Sequence, residues 1–517
     1  MISRRRFLWA SAAAPVGWPA WAASADSAPG LRLEYEATAP PKVPSPLDVR
    51  SPARIVVEIG GSGAGGRCCI GLQVCLDQQP CLLPLALWTG DTPAYLRHRE
   101  VLRLPTYPGR IGNDGNGWSL SVDGRAAYSV RTAGSIPETR GSSPGLPWVT
   151  YRHTLHPDWR QGPLDGPSEL WMLPSAAHPR PGDLGVEEVT ASGSLDGWLT
   201  RLGALGPVAA SAVDLADLPY GEFVREVDAH SLEPFALRKY PGAAAQAGAS
   251  DPMHLSAADL ASYRGRREHR LSGIMLVAVD ASVSRDSVER ILPPPCEAPE
   301  TAVVRVMAIR GLDDPGLDEA WLFANCLLEG RRAWYAASHI RGTVAGSEFG
   351  REVLGYPTRA GSVAATVGAS QFSASISQGG AGLCFATGFY GGFSTGTSLG
   401  DMSVVTLRLG NGAGGGNPKG EIVVQPWRFQ GLRMPIRRES LHTSFPPAER
   451  GSRATVWNRM GPANAYWALV FDSATMQRLP AAVIAEIENP APYYRDRCGG
   501  RLPWMRTESA EDRDASD

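Results

Sequence analysis

One short segment occurs twice in this chain, and it constrains the fold more than any other feature. Residues 99–112 read REVLRLPTYPGRIG and residues 350–361 read GREVLGYPTRAG. Both carry Arg-Glu-Val-Leu, then Tyr-Pro, then a basic residue and a glycine, with three extra residues in the first occurrence. A second landmark, Leu-Pro, recurs in DLADLPYGEFVREV (214–227) and FDSATMQRLPAAVIAEI (471–487). The offset is about 252 residues at the first landmark and about 261 at the second. A near-constant offset over two landmarks points to tandem duplication of a whole domain, and the period is far too long for a solenoid.

The length fits that reading, since 517 residues exceed what one core usually supports. With 58 glycines, 43 prolines and few long helical periodicities, the chain reads as β-rich with many turns. A net charge of −2 gives no reason to expect a nucleic-acid partner. The stretch EAWLFANCLLEGRRAWYAA (319–337) has a helix-favouring composition. Pairing in a sheet often overrides such a preference.

The first residues read as a targeting segment. Ser3-Arg4-Arg5-Arg6-Phe7-Leu8 fits the twin-arginine pattern, and two A-x-A sites follow at 20–22 and 23–25. The apolar run is broken by Pro15 and Pro19 and is too short for a permanent span. The expectation is export to the periplasm or beyond, with no membrane partner after processing. Export places the eight cysteines in an oxidising compartment. Cys68, Cys69, Cys75 and Cys81 lie close together, and Asp-Gln-Gln-Pro between the last two is a turn signal. Buried thiols and a Cys75–Cys81 disulfide both stay open. Metal fits least, because no histidine lies within fifteen residues of the cluster.

Two motifs carry less than they promise. Gly61-Ser62-Gly63-Ala64-Gly65-Gly66 follows an apolar strand, but a dinucleotide fold needs a helix next. CCIGLQVCLDQQPC follows instead, which reads as a hairpin. The nine histidines include His153, His156 and His339, yet no G-x-S-x-G elbow accompanies them.

The doubled segment resembles the active-site strand of the acetoacetate decarboxylase family, in which Gly-Arg-Glu, a few residues and Tyr/Phe-Pro precede Lys-Lys. The resemblance implies a Schiff-base lysine whose pKa is lowered by its cationic neighbour. Here the two lysine positions hold Thr358 and Arg359, and in the first occurrence Gly109 and Arg110. The resemblance runs gap-free from Glu319 to Glu352. It places Glu319 on the family's active-site acid, and Gly330 and Tyr335 on its hairpin. Arg305 stands where the family has a second glutamate, and Arg270 where it has a carboxylate-binding arginine. In the first copy the acid position holds Arg67, and Glu58 is matched to the glutamate that Arg305 replaces. The Leu-Pro segments resemble the family's terminal helix, and 319–337 becomes two strands joined at Glu329-Gly330-Arg331-Arg332.

The implied fold is α+β, mostly β: two tandem acetoacetate decarboxylase-like antiparallel β-barrel or cone domains with flanking helices. The expected division is a twin-arginine signal at 1–25, a degenerate domain at 30–242, a second domain at 256–497 and a disordered acidic tail at 498–517. The halves are expected to pack as a pseudo-dimer, and homo-oligomerisation stays open. Only three lysines exist, Lys42, Lys239 and Lys419, and none lies near a motif. Arginine cannot replace them as nucleophile. The expected site therefore has Glu319 as acid or base, with Arg270, Arg305, Thr358 and Arg359 binding a small carboxylate, and neither cofactor nor metal. Three functions remain open: lyase or hydratase chemistry on an oxo acid without a Schiff base, non-catalytic carboxylate binding, and decarboxylation through an unexpected lysine.

Overall fold

The computed structural model describes residues 27–494 apart from short internal segments, of which 228–268 is the longest. The signal segment, the linker at 243–255 and the acidic tail lie outside the described residues. The described chain is mostly strand with a few short helices. An α+β, strand-dominated fold is what the sequence implied.

In the first half the strands are β1 (Ala28–Ala37), β2 (Ala53–Gly60), β3 (Arg67–Leu76), β4 (Gln79–Thr89), β5 (Thr106–Pro108), β6 (Trp148–Leu155), β7 (Leu164–Leu173), β8 (Ala177–Asp183) and β9 (Ala204–Leu215). In the second half they are β10 (His269–Ser282), β11 (Val303–Gly311), β12 (Asp318–Leu328), β13 (Arg331–Arg341), β14 (Thr358–Ala360), β15 (Gly400–Leu409), β16 (Gly420–Met434) and β17 (Asn464–Arg478). Strands β10, β11, β12, β13, β15, β16 and β17 pair in succession, and β17 returns to β10, so the sheet closes on itself. The first half repeats these pairings, with β7 and β8 together doing what β16 does in one run. A four-stranded antiparallel sheet flanks each half, built from 110–132 and 186–191 in one and from 362–389 and 442–444 in the other.

Matching irregularities recur in both halves. The tight hairpin turns use Asp77-Gln78 and Glu329-Gly330, all with positive φ. A bulge leaves Leu85 of β4 unpaired opposite Ile70 and Gly71, and another leaves Ala337 of β13 unpaired opposite Leu322 and Phe323. Such bulges shift the register by one residue and redirect every side chain beyond them. The Arg-Glu motifs sit on short helical turns, Arg97–Val101 and Glu348–Glu352. The next strand begins with Thr106 opposite Leu87 in one half and Thr358 opposite His339 in the other.

That register corrects the alignment of the doubled segment. Thr106, not Gly109, stands level with Thr358, and Tyr107, not Arg110, with Arg359. The first segment therefore has no three-residue insertion. Arg103 stands level with Gly355, and both have left-handed backbones, with φ 58° and 71°. At Gly355 the conformation goes with a close approach, since a Cβ there would lie 2.7 Å from the Leu407 carbonyl carbon and oxygen.

The Leu-Pro segments also depart from expectation. Each contains two strands rather than a helix, with β9 ending at Leu215 before Glu222–Val227, and β17 ending at Arg478 before Ala482–Ile487. Runs such as AVIAEI alternate with period two, which suits a strand, and Pro480 separates the two strands of the second segment because it has no N–H to donate to a ladder.

The halves pack against each other. Arg99 Nε donates to Glu352 at 2.5 Å, and Arg351 donates reciprocally to Glu100. Tyr494 adds its hydroxyl to Glu100, and Arg103 reaches the Leu409 carbonyl at 2.6 Å. A single apolar cluster contains Val101, Leu102 and Leu104 together with Leu407, Leu409 and Ile422.

Candidate functional site

The interior of the second half is built from alternate residues of β12 and β13. Glu319, Trp321 and Phe323 share one face of β12, and the bulge after Leu322 sets His339 opposite Trp321. β14 then lays Thr358 beside His339, and β17 brings Arg478 in from the other end of the chain. Glu319, His339 and Thr358 are all at most 2% exposed.

Both carboxylate oxygens of Glu319 are occupied. Oε1 accepts from Trp321 Nε1 at 3.1 Å and from Arg478, and Oε2 faces His339 Nε2 at 3.2 Å. Burial alone would raise the Glu319 pKa, but Arg478 and then His339 overcome it and hold the carboxyl well below the usual range. Burial pushes the His339 imidazole down to about 4, against the pull of Glu319. A neutral ring donating Nε2–H to an ionised carboxylate leaves Nδ1 as acceptor. The Thr358 hydroxyl donates to it across 2.8 Å.

Aromatic rings fill the space around this chain of hydrogen bonds. Trp321 stacks on His339 with centroids 3.7 Å apart, and meets Trp427 at 5.0 Å and Tyr356 at 4.9 Å edge-on. Arg478 lies 4.7 Å above Trp427. Gln425 accepts from Tyr356 and, at 2.8 Å, from Trp427 Nε1, and donates to the Leu479 carbonyl. Burial pushes the Tyr356 phenol up to about 12.

The other expected residues are distributed differently. Arg305 is buried near the far end of the same interior row, donating to Asp280 at 2.6 and 2.8 Å between Trp334 and Trp467. Arg359 is half-buried on the opposite face of β14 from Thr358. Arg270 is exposed and pairs with Gln477, so it points away from the face that carries Arg478. Of the five, Glu319 and Thr358 come together; Arg270, Arg305 and Arg359 do not join them. Cys75 and Cys81 are thiols, not a disulfide. Cys81 pairs with Val74 and Cys75 with Pro80, so neighbouring register positions send the two sulfurs to opposite faces. Glu58 pairs with Cys69, the residue level with Trp321, so it stands level with Met307 and not with Arg305. Among the described residues no group of three or more His, Cys, Asp and Glu is placed to hold a metal, and no helix is long and apolar enough to cross a membrane.

His339 and Arg478 complete the site, and neither was assigned to it by the sequence. For His339 the signal was alternation along β13, hidden by the bulge. Arg478 had a landmark in the adjoining Leu-Pro, which marks where β17 ends.

Residues 252–431 match the family model described as acetoacetate decarboxylase. That stretch, which supplies every element of the site except β17, is an acetoacetate decarboxylase-like domain. No curated protein matches the chain. Solved structures resemble it more distantly. An acetoacetate decarboxylase shares 16% identity over 43% of this chain and 91% of its own, with a TM-score of 0.36. An acetoacetate decarboxylase-like enzyme from Sphingomonas wittichii RW1 shares 13% over 42% and 93%, with a TM-score of 0.35. Acetoacetate decarboxylase from Legionella pneumophila shares 16% over 43% and 90%, with a TM-score of 0.33.

Proposed function

We propose that this is an exported, non-catalytic relative of acetoacetate decarboxylase, built from two copies of the domain at 30–242 and 256–497. The observation that carries the non-catalytic reading is the saturation of Glu319. Trp321, Arg478 and His339 take both of its oxygens, and stacked aromatic rings occupy the space where a substrate would have to lie. A carboxylate held ionised by an arginine is also a poor general acid or base near neutral pH. Schiff-base chemistry finds no support, because Lys419, the described lysine, pairs with the exposed Glu486 and Glu488. Arg478 and Arg305 are engaged by Glu319 and Asp280. The repeated strand pairings and hairpin turns support the duplication.

A second reading rests on the Thr358–His339–Glu319 alignment. A hydroxyl donating to an imidazole that a carboxylate orients is the logic of an activated nucleophile. It would suit lyase or hydratase chemistry on an oxo acid if the rings parted to admit one.

One set of assays separates the readings. Borohydride trapping with acetoacetate should leave the protein mass unchanged, and a panel of oxo and hydroxy acids should show no turnover. Turnover that disappears in a folded His339→Gln or Glu319→Gln variant would establish the second reading. Export is tested by fractionation and by sequencing the mature N-terminus. Replacing Arg4 and Arg5 with lysine should retain the precursor in the cytoplasm.

A further inference from the structure

The first half keeps the scaffold but changes what lines it. Cys69 stands where Trp321 stands in the second half, Gly71 where Phe323 stands, and Leu87 in place of His339. Leu82 packs over Gly71, but the Cys69 level keeps the smaller side chain. At the acid position Arg67 points inward, donating to the carbonyls of Ala176 at 2.6 Å and of Ala216. His98 stands level with Gly350, so an imidazole is added on this side where the second half has no side chain.

Around Arg67 lie buried polar atoms with nothing to bond. They are Arg67 Nε, Glu58 Oε2, Trp148 Nε1 and both ring nitrogens of His98, on residues at most 7% exposed. The Arg97 Nε behind them is also without a partner. The residues form one neighbourhood. Glu58 and Cys69 are directly paired, Gly60 and Arg67 are the next pair on the same face, and the Arg67 guanidinium lies 5.7 Å from the Trp148 ring centre. Arg67 and Arg97 both act electrostatically on His98. Glu58 meets Arg32 at only 3.8 Å, which is too long for a hydrogen bond. Leaving such a group buried and unbonded is destabilising, and a cluster of them in one interior calls for an occupant.

We propose that the interior of the first half is a binding site for a small hydroxy acid. The unfilled set fixes the chemistry. Arg67 and Trp148 are donors only, and with two arginines nearby they call for an anionic acceptor such as a carboxylate. Glu58 Oε2 and one His98 nitrogen remain as the groups a ligand hydroxyl would address. The second half cannot offer the same site, because Trp321 and the Glu319–Arg478 pair fill it. The assignment does not depend on whether that half is catalytic.

The test is calorimetric titration of the mature protein with glycolate, lactate, malate and citrate, with propionate as a match for lactate lacking the hydroxyl. Saturable binding of at least one hydroxy acid is expected, with propionate about tenfold weaker than lactate if lactate binds, the effect of one hydrogen bond. His98→Phe keeps an apolar ring while removing both nitrogens, and Glu58→Gln keeps the shape of the carboxylate. Each should weaken binding about tenfold or more while leaving the circular dichroism spectrum unchanged. Arg67→Met should abolish binding, and His98→Phe keeps the proposal testable if that variant fails to fold. The proposal is overturned if no hydroxy acid binds, if binding survives both His98→Phe and Glu58→Gln unchanged, or if a crystal structure grown with the ligand holds only water among these groups.

Discussion

Arg99 and Glu352 lie 253 residues apart in the chain and form a buried ion pair at 2.5 Å between the two halves. The residues beside them, Glu100 and Arg351, make the same contact in reverse. Each arginine also holds its own half together, Arg99 through the Thr106 carbonyl at 2.9 Å and Arg351 through that of Thr358. Removing one partner leaves the other charged and buried. Arg99→Met and Glu352→Gln should each destabilise the protein by about 3–5 kcal/mol in chemical denaturation. Arg99→Met combined with Glu352→Met should recover most of that loss, since no uncompensated charge remains. Additive losses in the double variant would show that the two do not act as a pair.

Acid should destabilise the second half earlier than a surface carboxylate would. Glu319 is held below its ordinary pKa, so its contribution is present above the unfolded value and is lost as pH falls. His339 has a folded value of about 4 against an ordinary 6.5. The unfolded chain therefore binds a proton that the folded one refuses, and stability again falls with falling pH. Between pH 6.5 and 4 the melting temperature should drop in the wild type. A folded His339→Gln variant should show a shallower drop over the same window.

Gly355 tolerates no side chain. Its φ of 71° and the 2.7 Å approach to Leu407 should make Gly355→Ala cost roughly 1–3 kcal/mol. Gly380, whose φ is 86° with no atom within 4 Å of where a Cβ would stand, gives the comparison in which strain acts without a clash. Gly380→Ala should cost less, and equal losses would remove the clash from the account.

The thiols should be slow to react. Burial pushes the Cys81 thiol up to about 11 and the Cys384 thiol up to about 12, and it raises Cys68 and Cys69 as well. Since the thiolate is the nucleophile, iodoacetamide at pH 8 should leave these four unmodified until denaturant is added. Peptide mass mapping of the native protein reads this directly, and fast alkylation of Cys81 would contradict it.

The β-rich architecture could be read from residue order, because turn signals are local, whereas Glu319 was singled out by the resemblance to the acetoacetate decarboxylase family. The hairpin at Glu329-Gly330 also came from that resemblance, against a helix-favouring composition. What failed was register. Counting back from that turn without a bulge pairs Trp321 with Ser338 and sends His339 to the other face. The one-residue slip at Leu322 reverses this, and nothing in the local sequence announces it. Tyr-Pro misled the alignment for a similar reason: the identical letters fall at different backbone positions, whereas the left-handed residues Arg103 and Gly355 mark the true register. Arg478 lies 159 residues from its partner Glu319, beyond any spacing argument, and Arg270 missed the interior by a single alternation.

The reciprocal arginine contacts also set a timetable. Arg99 leaves the ribosome long before Glu352 is made, and Glu100 waits longer still for Tyr494, 394 residues downstream. Until then the first half carries buried-to-be charges with no counterpart. Completion of either half is therefore a property of the finished chain, and nascent fragments ending before residue 352 should engage chaperones rather than persist as independent folded units.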